Sequence, residues 1–190
     1  GDQHIEVILA KLKAKYKAEV LLEEPKVPYR ETIRKAVTGE GRHKKQTGGH
    51  GQFGHVFVDF SPNEGEEEMV FEEKVFGGAV PRQYFPAVEK GLRECMEHGA
   101  LAGYKVVNIK AVLTDGKYHD VDSSEMAFIM AARLAFKDAM AKANPILLEP
   151  IMQVSVKVPD EYTGTIMGDF NKRRGMIIGM DQQDGYQLIQ

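Results

Sequence analysis

Asp122-Ser-Ser-Glu-Met-Ala-Phe-Ile-Met-Ala-Ala-Arg-Leu-Ala-Phe-Lys-Asp-Ala-Met140 is the stretch on which the fold turns. Met126, Phe128, Ile129, Met130, Leu134, Phe136 and Met140, with alanines between them, make the segment from 123 to about 143 apolar on most sides. A helix of that kind is sandwiched inside a core rather than laid on a surface. Asp122-Ser-Ser-Glu125 has the form of a capping box, with a side-chain oxygen at the N-cap and a glutamate three residues on. Asp122 and Glu125 are therefore the expected helix cap. Asn144-Pro145 stops the helix, because proline pushes the residue before it out of the helical region.

Outward from this helix the periodicity alternates between strand and helix. Upstream, 29–38 reads as one strand with Tyr29, Ile33 and Val37 on a side. A loop over 39–54 follows, with glycine at 39, 41, 48, 49, 51 and 54. His55–Phe60 resumes as a strand, Pro62-Asn-Glu-Gly65 is a turn, and 69–75 is a further strand. Phe85, Val88, Leu92 and Cys95 or Met96 mark a helix that stops at Gly99. Val107, Ile109, Ala111 and Leu113 alternate as a strand. Downstream, Met152 to Val158 alternates as a strand, Ile166, Met167 and Phe170 mark a helix ending at Gly175, and strands follow at 176–180 and after a turn at 182–185. That order, β-α-β-β, is the first two-thirds of a split β-α-β unit. At the other end, Ile5, Ile8, Leu9, Leu12 and Tyr16 share one helix face, Val20–Leu22 reads as a strand, and Pro25 and Pro28 mark a linker. The expectation is an α+β chain in three parts: 1–26, a whole central domain at 27–146 with a mixed sheet, and a partial domain at 147–190. The outer parts read as pieces of something larger.

Composition excludes several classes. The 190 residues are 43% hydrophobic and 28% charged, enough for a core and a solvated surface. No apolar run is long enough to span a bilayer, and the first residues lack a basic start and apolar stretch. One cysteine, Cys95, rules out an internal disulfide framework and fits a reducing cytosol. A net charge of −3 does not mark a general nucleic-acid binder. The cations are clustered, however, in Arg42-His-Lys-Lys45 and in Lys172-Arg-Arg174, opposite an acidic run from Glu64 to Glu73 that reads as solvated surface.

Gly49-x-Gly51-x-x-Gly54 matches a dinucleotide fingerprint in form only. That motif needs a helix start directly after it to receive the pyrophosphate, and here a β-type segment follows. No phosphate loop of the G-x-x-x-x-G-K-[ST] type occurs. What remains is a glycine-rich loop carrying Arg42, Lys44, Lys45, Gln46, Thr47 and His50. It reads either as a mobile surface loop or as an RNA contact, in which the cations reach phosphates and the amide and hydroxyl groups reach sugars and bases. Tyr118-His-Asp-Val-Asp-Ser-Ser124 holds the residue types of a hydrolase triad, but triad members converge from separate segments. His119 is left without an obvious structural task. The histidines at 43, 50, 55, 98 and 119 lack metal-ligand spacing, so no metal is expected. Cys95 falls on the buried helix face, as an inert core thiol does.

Several segments together resemble one family. Val27-Pro-Tyr-Arg-Glu-Thr-Ile33, Gln46-Thr-Gly-Gly-His-Gly-Gln-Phe-Gly-His55, Leu101-Ala-Gly-Tyr104, Tyr118-His-Asp-Val-Asp-Ser-Ser-Glu125 and Leu147-Leu-Glu-Pro-Ile-Met152 are similar, in order, to the fourth domain of elongation factor G and the start of its fifth. The opening Gly-Asp-Gln-His-Ile-Glu resembles the last helix of the third. The resemblance implies a fourth domain with a left-handed β-α-β crossover, like a ribosomal S5 domain, followed by part of a ferredoxin-like fifth domain. It implies the distal part of a ribosomal translocase, not itself an enzyme and without cofactor, whose parent carries GTP and magnesium on a GTPase domain. The implied partners are the ribosome, tRNA and mRNA in the cytoplasm. Two tip loops would reach the decoding centre: Lys44, Lys45, Gln46, Thr47, Gly48, Gly49, His50 and Gly51 in one, His119 and Asp120 in the other. Lys172, Arg173 and Arg174 would face ribosomal RNA near the stalk base and the sarcin–ricin region. Many family members carry arginine where this chain has His50, and serine is common at Thr47. That departure admits a second-copy paralogue acting in recycling or rescue. A ribosome-protection factor is a weaker reading. Outside the ribosome, a small-molecule-binding or hydrolytic domain using His119, Asp120 and Ser123 is the alternative.

Overall fold

A computed structural model describes residues 1–190, apart from the side chain of Thr47. The first unit is built on a four-stranded mixed sheet, in the order β2 (Val37–Thr47), β3 (His50–Pro62), β5 (Ile109–Lys117), β4 (Met69–Glu73). β2–β3 and β3–β5 are antiparallel, and β4 runs parallel to β5. The parallel pair is joined through helix α2 (Phe85–Met96). The long apolar segment forms α3 (Glu125–Met140) and packs against β2, β3 and α2. Val56, Val58, Phe60, Ile109, Leu113, Val88, Leu92, Phe128 and Phe136 close the core between these layers. The α3 surface is not buried all round, because Met126, Arg133, Leu134 and Lys137 remain exposed.

The largest departure from expectation is the glycine-rich stretch. Residues 39–54 are not a loop: they are most of an eleven-pair antiparallel ladder that runs from Val37↔Phe60 to Thr47↔His50. The glycines are there because α3 lies on the ladder. A Cβ on Gly41 would sit 1.8 Å from the carbonyl oxygen of Ala131, and one on Gly39 would sit 2.2 Å from that of Ala135. Only Gly48 and Gly49 form the turn, at φ 56° and 101°, where the left-handed region favours glycine. Asp138 ties helix to hairpin by accepting the Glu40 N–H at 2.9 Å. That bond, with the Lys142 ammonium, holds its carboxyl below the usual range.

The strand expected over 29–38 divides in two. β1 (Arg30–Ile33) pairs with β6 (Pro145–Leu148), whereas Val37 onward belongs to the hairpin. The chain changes sheets between them because the Arg34 and Lys35 N–H groups donate to the Ala143 carbonyl. β6 thereby lies across the expected boundary at 146/147. Glu31, on β1, is only 2% exposed. Its carboxylate accepts the N–H groups of Leu101 (2.8 Å), Ala102 (3.1 Å) and Tyr104 (2.7 Å), pinning the loop after α2.

The second unit is β7 (Val156–Pro159), α4 (Thr163–Lys172), β8 (Met180–Gln183) and β9 (Tyr186–Ile189), with sheet order β7-β9-β8 and antiparallel pairing throughout. The β-α-β-β order is as read from the sequence. The strand expected at 176–180 begins instead at Met180, so that the turn falls on Asp184-Gly185 and pairs Gln183 with Tyr186. At the other end, α1 (Asp2–Tyr16) stops at Lys17 in the left-handed conformation and buries none of its residues. The strand expected at Val20–Leu22 does not form, since no other strand pairs with it and Leu21 is 92% exposed. No helix among the described residues is long and apolar enough to cross a membrane.

Candidate nucleic-acid interface

The end of the β2–β3 hairpin and the segment between β5 and α3 lie against each other. The link is built on Phe53, which β3 places four residues past Gly49 of the turn and which is 4% exposed. Its ring stacks on that of His119, with centroids 3.8 Å apart and planes 7° apart. Its N–H donates to the Asp122 carbonyl at 2.9 Å. Its own carbonyl accepts the Ser123 hydroxyl at 2.8 Å, while that hydroxyl oxygen accepts the His119 N–H at 2.9 Å. The Ser123 N–H donates back to the His119 carbonyl at 3.1 Å, closing residues 119–123 into a turn. Tyr84 donates its hydroxyl to the Ser123 carbonyl at 3.3 Å from below. Asp122 meets the hairpin at Gly51, where a Cβ would stand 2.5 Å from its carboxylate oxygen.

On this support the predicted residues stand in the open. Lys44, Lys45, Gln46, Gly48, Gly49, His50, His119 and Asp120 are all exposed, and Gly51 is half-buried. The Thr47 side chain lies outside the described residues. Arg42, not assigned to the tip, is exposed as well and brings its guanidinium to 6.0 Å from the Phe53 ring centre. Two other hairpin histidines are engaged, His43 with Gln52 at 2.8 Å and His55 with Glu40 at 2.8 Å. No group of three or more His, Cys, Asp or Glu side chains among the described residues is placed to hold a metal ion.

Three expectations are revised. The helix cap is Ser124, whose hydroxyl accepts the Ala127 N–H at 3.1 Å, and not Asp122; Glu125 is the first helical residue rather than the third. The helix starts later because Ser123 is already spent on Phe53 and His119, and Asp122 turns to the hairpin. His119 does have a structural task, the stack on Phe53. The triad reading fails on geometry, since the His119 ring lies on Phe53 and the Ser123 hydroxyl is occupied by two backbone groups. The hollow lined by Tyr118 to Asp122 is a wide-open surface depression rather than an enclosed pocket.

Lys172, Arg173 and Arg174 are exposed at the end of α4, in the second unit. Arg173 pairs with Asp169 at 2.8 Å and Arg174 with Glu149 at 2.9 Å. Sequence reasoning missed Phe53 as a site residue and named Ser123 only for the hydrolytic alternative, not as the group that ties the two turns together. The one signal for Phe53 was an aromatic isolated among glycines, Gly51-Gln-Phe-Gly54, which reads as a loop until pairing gives it a buried side.

Two matched segments place this architecture. Residues 25–144 match the model of elongation factor G domain IV, and residues 146–190 match that of the elongation factor G C-terminus. A crystal structure of a protein from Thermus thermophilus superposes on the whole chain with a TM-score of 0.92 at 44% identity, and the chain spans 28% of that protein's length. Fold and matches define the class first: these are domains of a translation elongation factor. Within that class, the chain belongs to the elongation factor G family.

Proposed function

We propose that this chain is the distal part of a GTP-dependent ribosomal translocase, and that its paired turns enter the decoding centre to contact A-site tRNA and mRNA. The observation that carries the reading is the clasp of the Gly48-Gly49 turn to residues 119–123 through Phe53, which offers polar and cationic groups at one end of a long hairpin. Lys44 and Lys45 supply the sequence-independent attraction to phosphates, while Gln46, His50 and His119 offer groups that bond or stack on sugars and bases. The role is mechanical and steric. A GTPase domain of the parent, with GTP and magnesium, drives the cycle; the hairpin end and the 119–123 turn break contacts that hold the codon–anticodon duplex and block back-slippage. Residues 1–26 belong with a preceding ferredoxin-like domain III, and 147–190 with a domain V that meets ribosomal RNA near the stalk base and sarcin–ricin region through Lys172, Arg173 and Arg174. The setting is the cytoplasm.

In the full-length factor, His119→Ala or shortening of 44–51 slows single-round translocation while ribosome-stimulated GTP hydrolysis stays near the parent rate. Translocation at the parent rate in both variants sinks the proposal. His50, where the resemblance to the family implies a permanently charged arginine in many members, supports a second reading as a paralogue in recycling or rescue. Failure to complement loss of the main factor would select that reading.

A further inference from the structure

α3 lies on one face of the hairpin, where Gly39, Gly41 and Gly54 leave no room for a side chain. Strand alternation turns Glu40, Arg42 and Lys44 to the other face. Cross-strand partners share a face, so the pairings Arg42↔His55 and His55↔Lys117 set Arg42, His55 and Lys117 in one row across three strands. The row nearer the turn holds Lys44 and Phe53, and the row farther from it holds Glu40, Phe57 and Asp115. Charge on this face is thus sorted along the hairpin, cations toward the turn and anions toward the base. The anions are engaged, but not by those cations. Glu40 meets the His55 Nε2 at 2.8 Å, Asp115 accepts the Gly116 N–H at 2.8 Å, and Asp59 accepts the Thr38 hydroxyl at 2.6 Å. Among the described residues Lys44, Arg42 and Lys117 form no ion pair, and all three are exposed. Elsewhere in the same unit Lys105, Lys110 and Arg93 each reach a carboxylate, at 2.6, 3.0 and 2.8 Å. No ring in the cationic rows is free to stack on a base: Phe53 lies under His119 with Arg42 over it, and His55 is 7% exposed. Long cationic side chains without partners suit phosphates, whose contacts position a ligand without reading its sequence. Residues two apart on a strand stand about 7 Å apart and next-but-one strands about 10 Å, so the three cations match a length of backbone rather than a single phosphate. They lie behind the Gly48-Gly49 turn on the same strands, so a ligand touching both runs back along the hairpin, as a tRNA stem leading away from its anticodon does. We infer that the sheet face turned away from α3 is a docking surface for the sugar–phosphate backbone of the A-site tRNA's anticodon arm, held by Arg42 and Lys117 together with Lys44.

This surface rests on the RNA-contact reading above and extends it to two residues outside both turns. The salt dependence of binding tests it, for the full-length factor with a non-hydrolysable GTP analogue on pre-translocation ribosomes. Parent, Arg42→Gln, Lys117→Gln and the double variant are compared on ribosomes with tRNA in the A site and on ribosomes with mRNA but a vacant A site. Each lost phosphate contact flattens the slope of log affinity against log salt by about 0.7–0.9. With A-site tRNA, the affinity of the double variant is expected to fall about tenfold less than the parent's between about 50 and 200 mM salt; on vacant A sites the two fall alike. Arg42→Lys and Lys117→Arg keep the parent slope. Should Arg42→Gln fail to fold for want of its contact with Phe53, Lys117→Gln alone decides, with about half the flattening of the double variant. Equal flattening with and without A-site tRNA overturns the assignment to tRNA, in favour of ribosomal RNA, mRNA or an acidic protein segment. An unchanged slope in the double variant overturns the surface altogether. If shortening of 44–51 still slows translocation in that case, the tip reading stands without it; if it does not, the tip reading falls as well.

Discussion

Replacing Glu31 by alanine removes the acceptor on which one whole loop depends. The Glu31 carboxylate is 2% exposed and, among the described residues, forms no ion pair. A buried charge without a counter-ion is costly unless hydrogen bonds replace its lost water. Here three do, from the N–H groups of Leu101, Ala102 and Tyr104 at 2.8, 3.1 and 2.7 Å. The loop in turn closes on itself through Gly99 N–H to the Tyr104 carbonyl at 2.7 Å, and Gly99 has no room for a side chain because a Cβ would lie 2.3 Å from the Glu31 carboxylate. Hydrogen bonds to an ionised acceptor are worth about 1.5–3 kcal/mol each, but the loop is exposed on its outer side and water takes up part of the loss. The expected cost of Glu31→Ala is therefore about 3–5 kcal/mol rather than the full sum, and that of Glu31→Gln, which keeps one acceptor oxygen, about 1–3 kcal/mol. For a unit of this size that lowers the alanine variant's melting temperature by about 10–20 °C. Circular-dichroism melting measures the total, and amide hydrogen exchange at Leu101, Ala102 and Tyr104 shows where it acts. Exposed Glu97, changed to alanine, is the control, with an effect within about 0.5 kcal/mol. A Glu31→Ala melting temperature within about 2 °C of the parent, or unchanged exchange at those three amides, would refute the claim that this carboxylate holds the loop.

Three further outcomes follow from the same geometry. Gly41→Ala drives a methyl group to 1.8 Å from the Ala131 carbonyl; α3 must lift off the hairpin, at a cost of roughly 3 kcal/mol or more by urea unfolding, and a neutral result removes the close-approach account of these glycines. Ser124→Ala loses the bond to the Ala127 N–H and costs about 0.5–2 kcal/mol, and a larger loss from Asp122→Ala would return the cap to Asp122. Burial pushes the Cys95 thiol up, which outweighs the nearby Arg133 that favours the thiolate. Because the thiolate is the nucleophile, Cys95 reacts with iodoacetamide more slowly than an unfolded-state thiol at pH 8 to 9, and the gap closes as pH rises or as urea unfolds the chain. Equal rates folded and unfolded at pH 8 contradict it.

The elements whose side chains carry their own periodicity were legible. α2, α3 and β5 follow from apolar spacing because each packs one continuous face on the core. The α+β class and the β-α-β-β order of the second unit followed from the same signals. The hairpin was not legible, since its near-helix face is written in glycine. Glycine carries no hydrophobic signal, and in isolation it reads as turn; the information that makes 39–47 a strand sits about ninety residues away, in the backbone of α3. Likewise Val20–Leu22 looked like a strand by composition, but strand propensity without a pairing partner does not order a chain.

The site shows the same division between what one segment carries and what two segments make together. The exposed polar groups of the hairpin turn and His119 were nameable from residue type. Their clasp was not, because each bond in it joins β3 to the 119–123 turn across about seventy residues of sequence. This also explains why Asp122-Ser-Ser-Glu125 was misread. A capping box is a local rule, and locally Asp122 satisfies it. Phe53 competes for the same turn: its carbonyl takes the Ser123 hydroxyl and its N–H takes the Asp122 carbonyl, which moves the helix start to Ser124. The helix thus begins two residues late because those residues hold the second turn against the first. The clasp between the two turns and the position of the cap are therefore one structural fact, and a substitution that moves the cap to Asp122 must loosen His119.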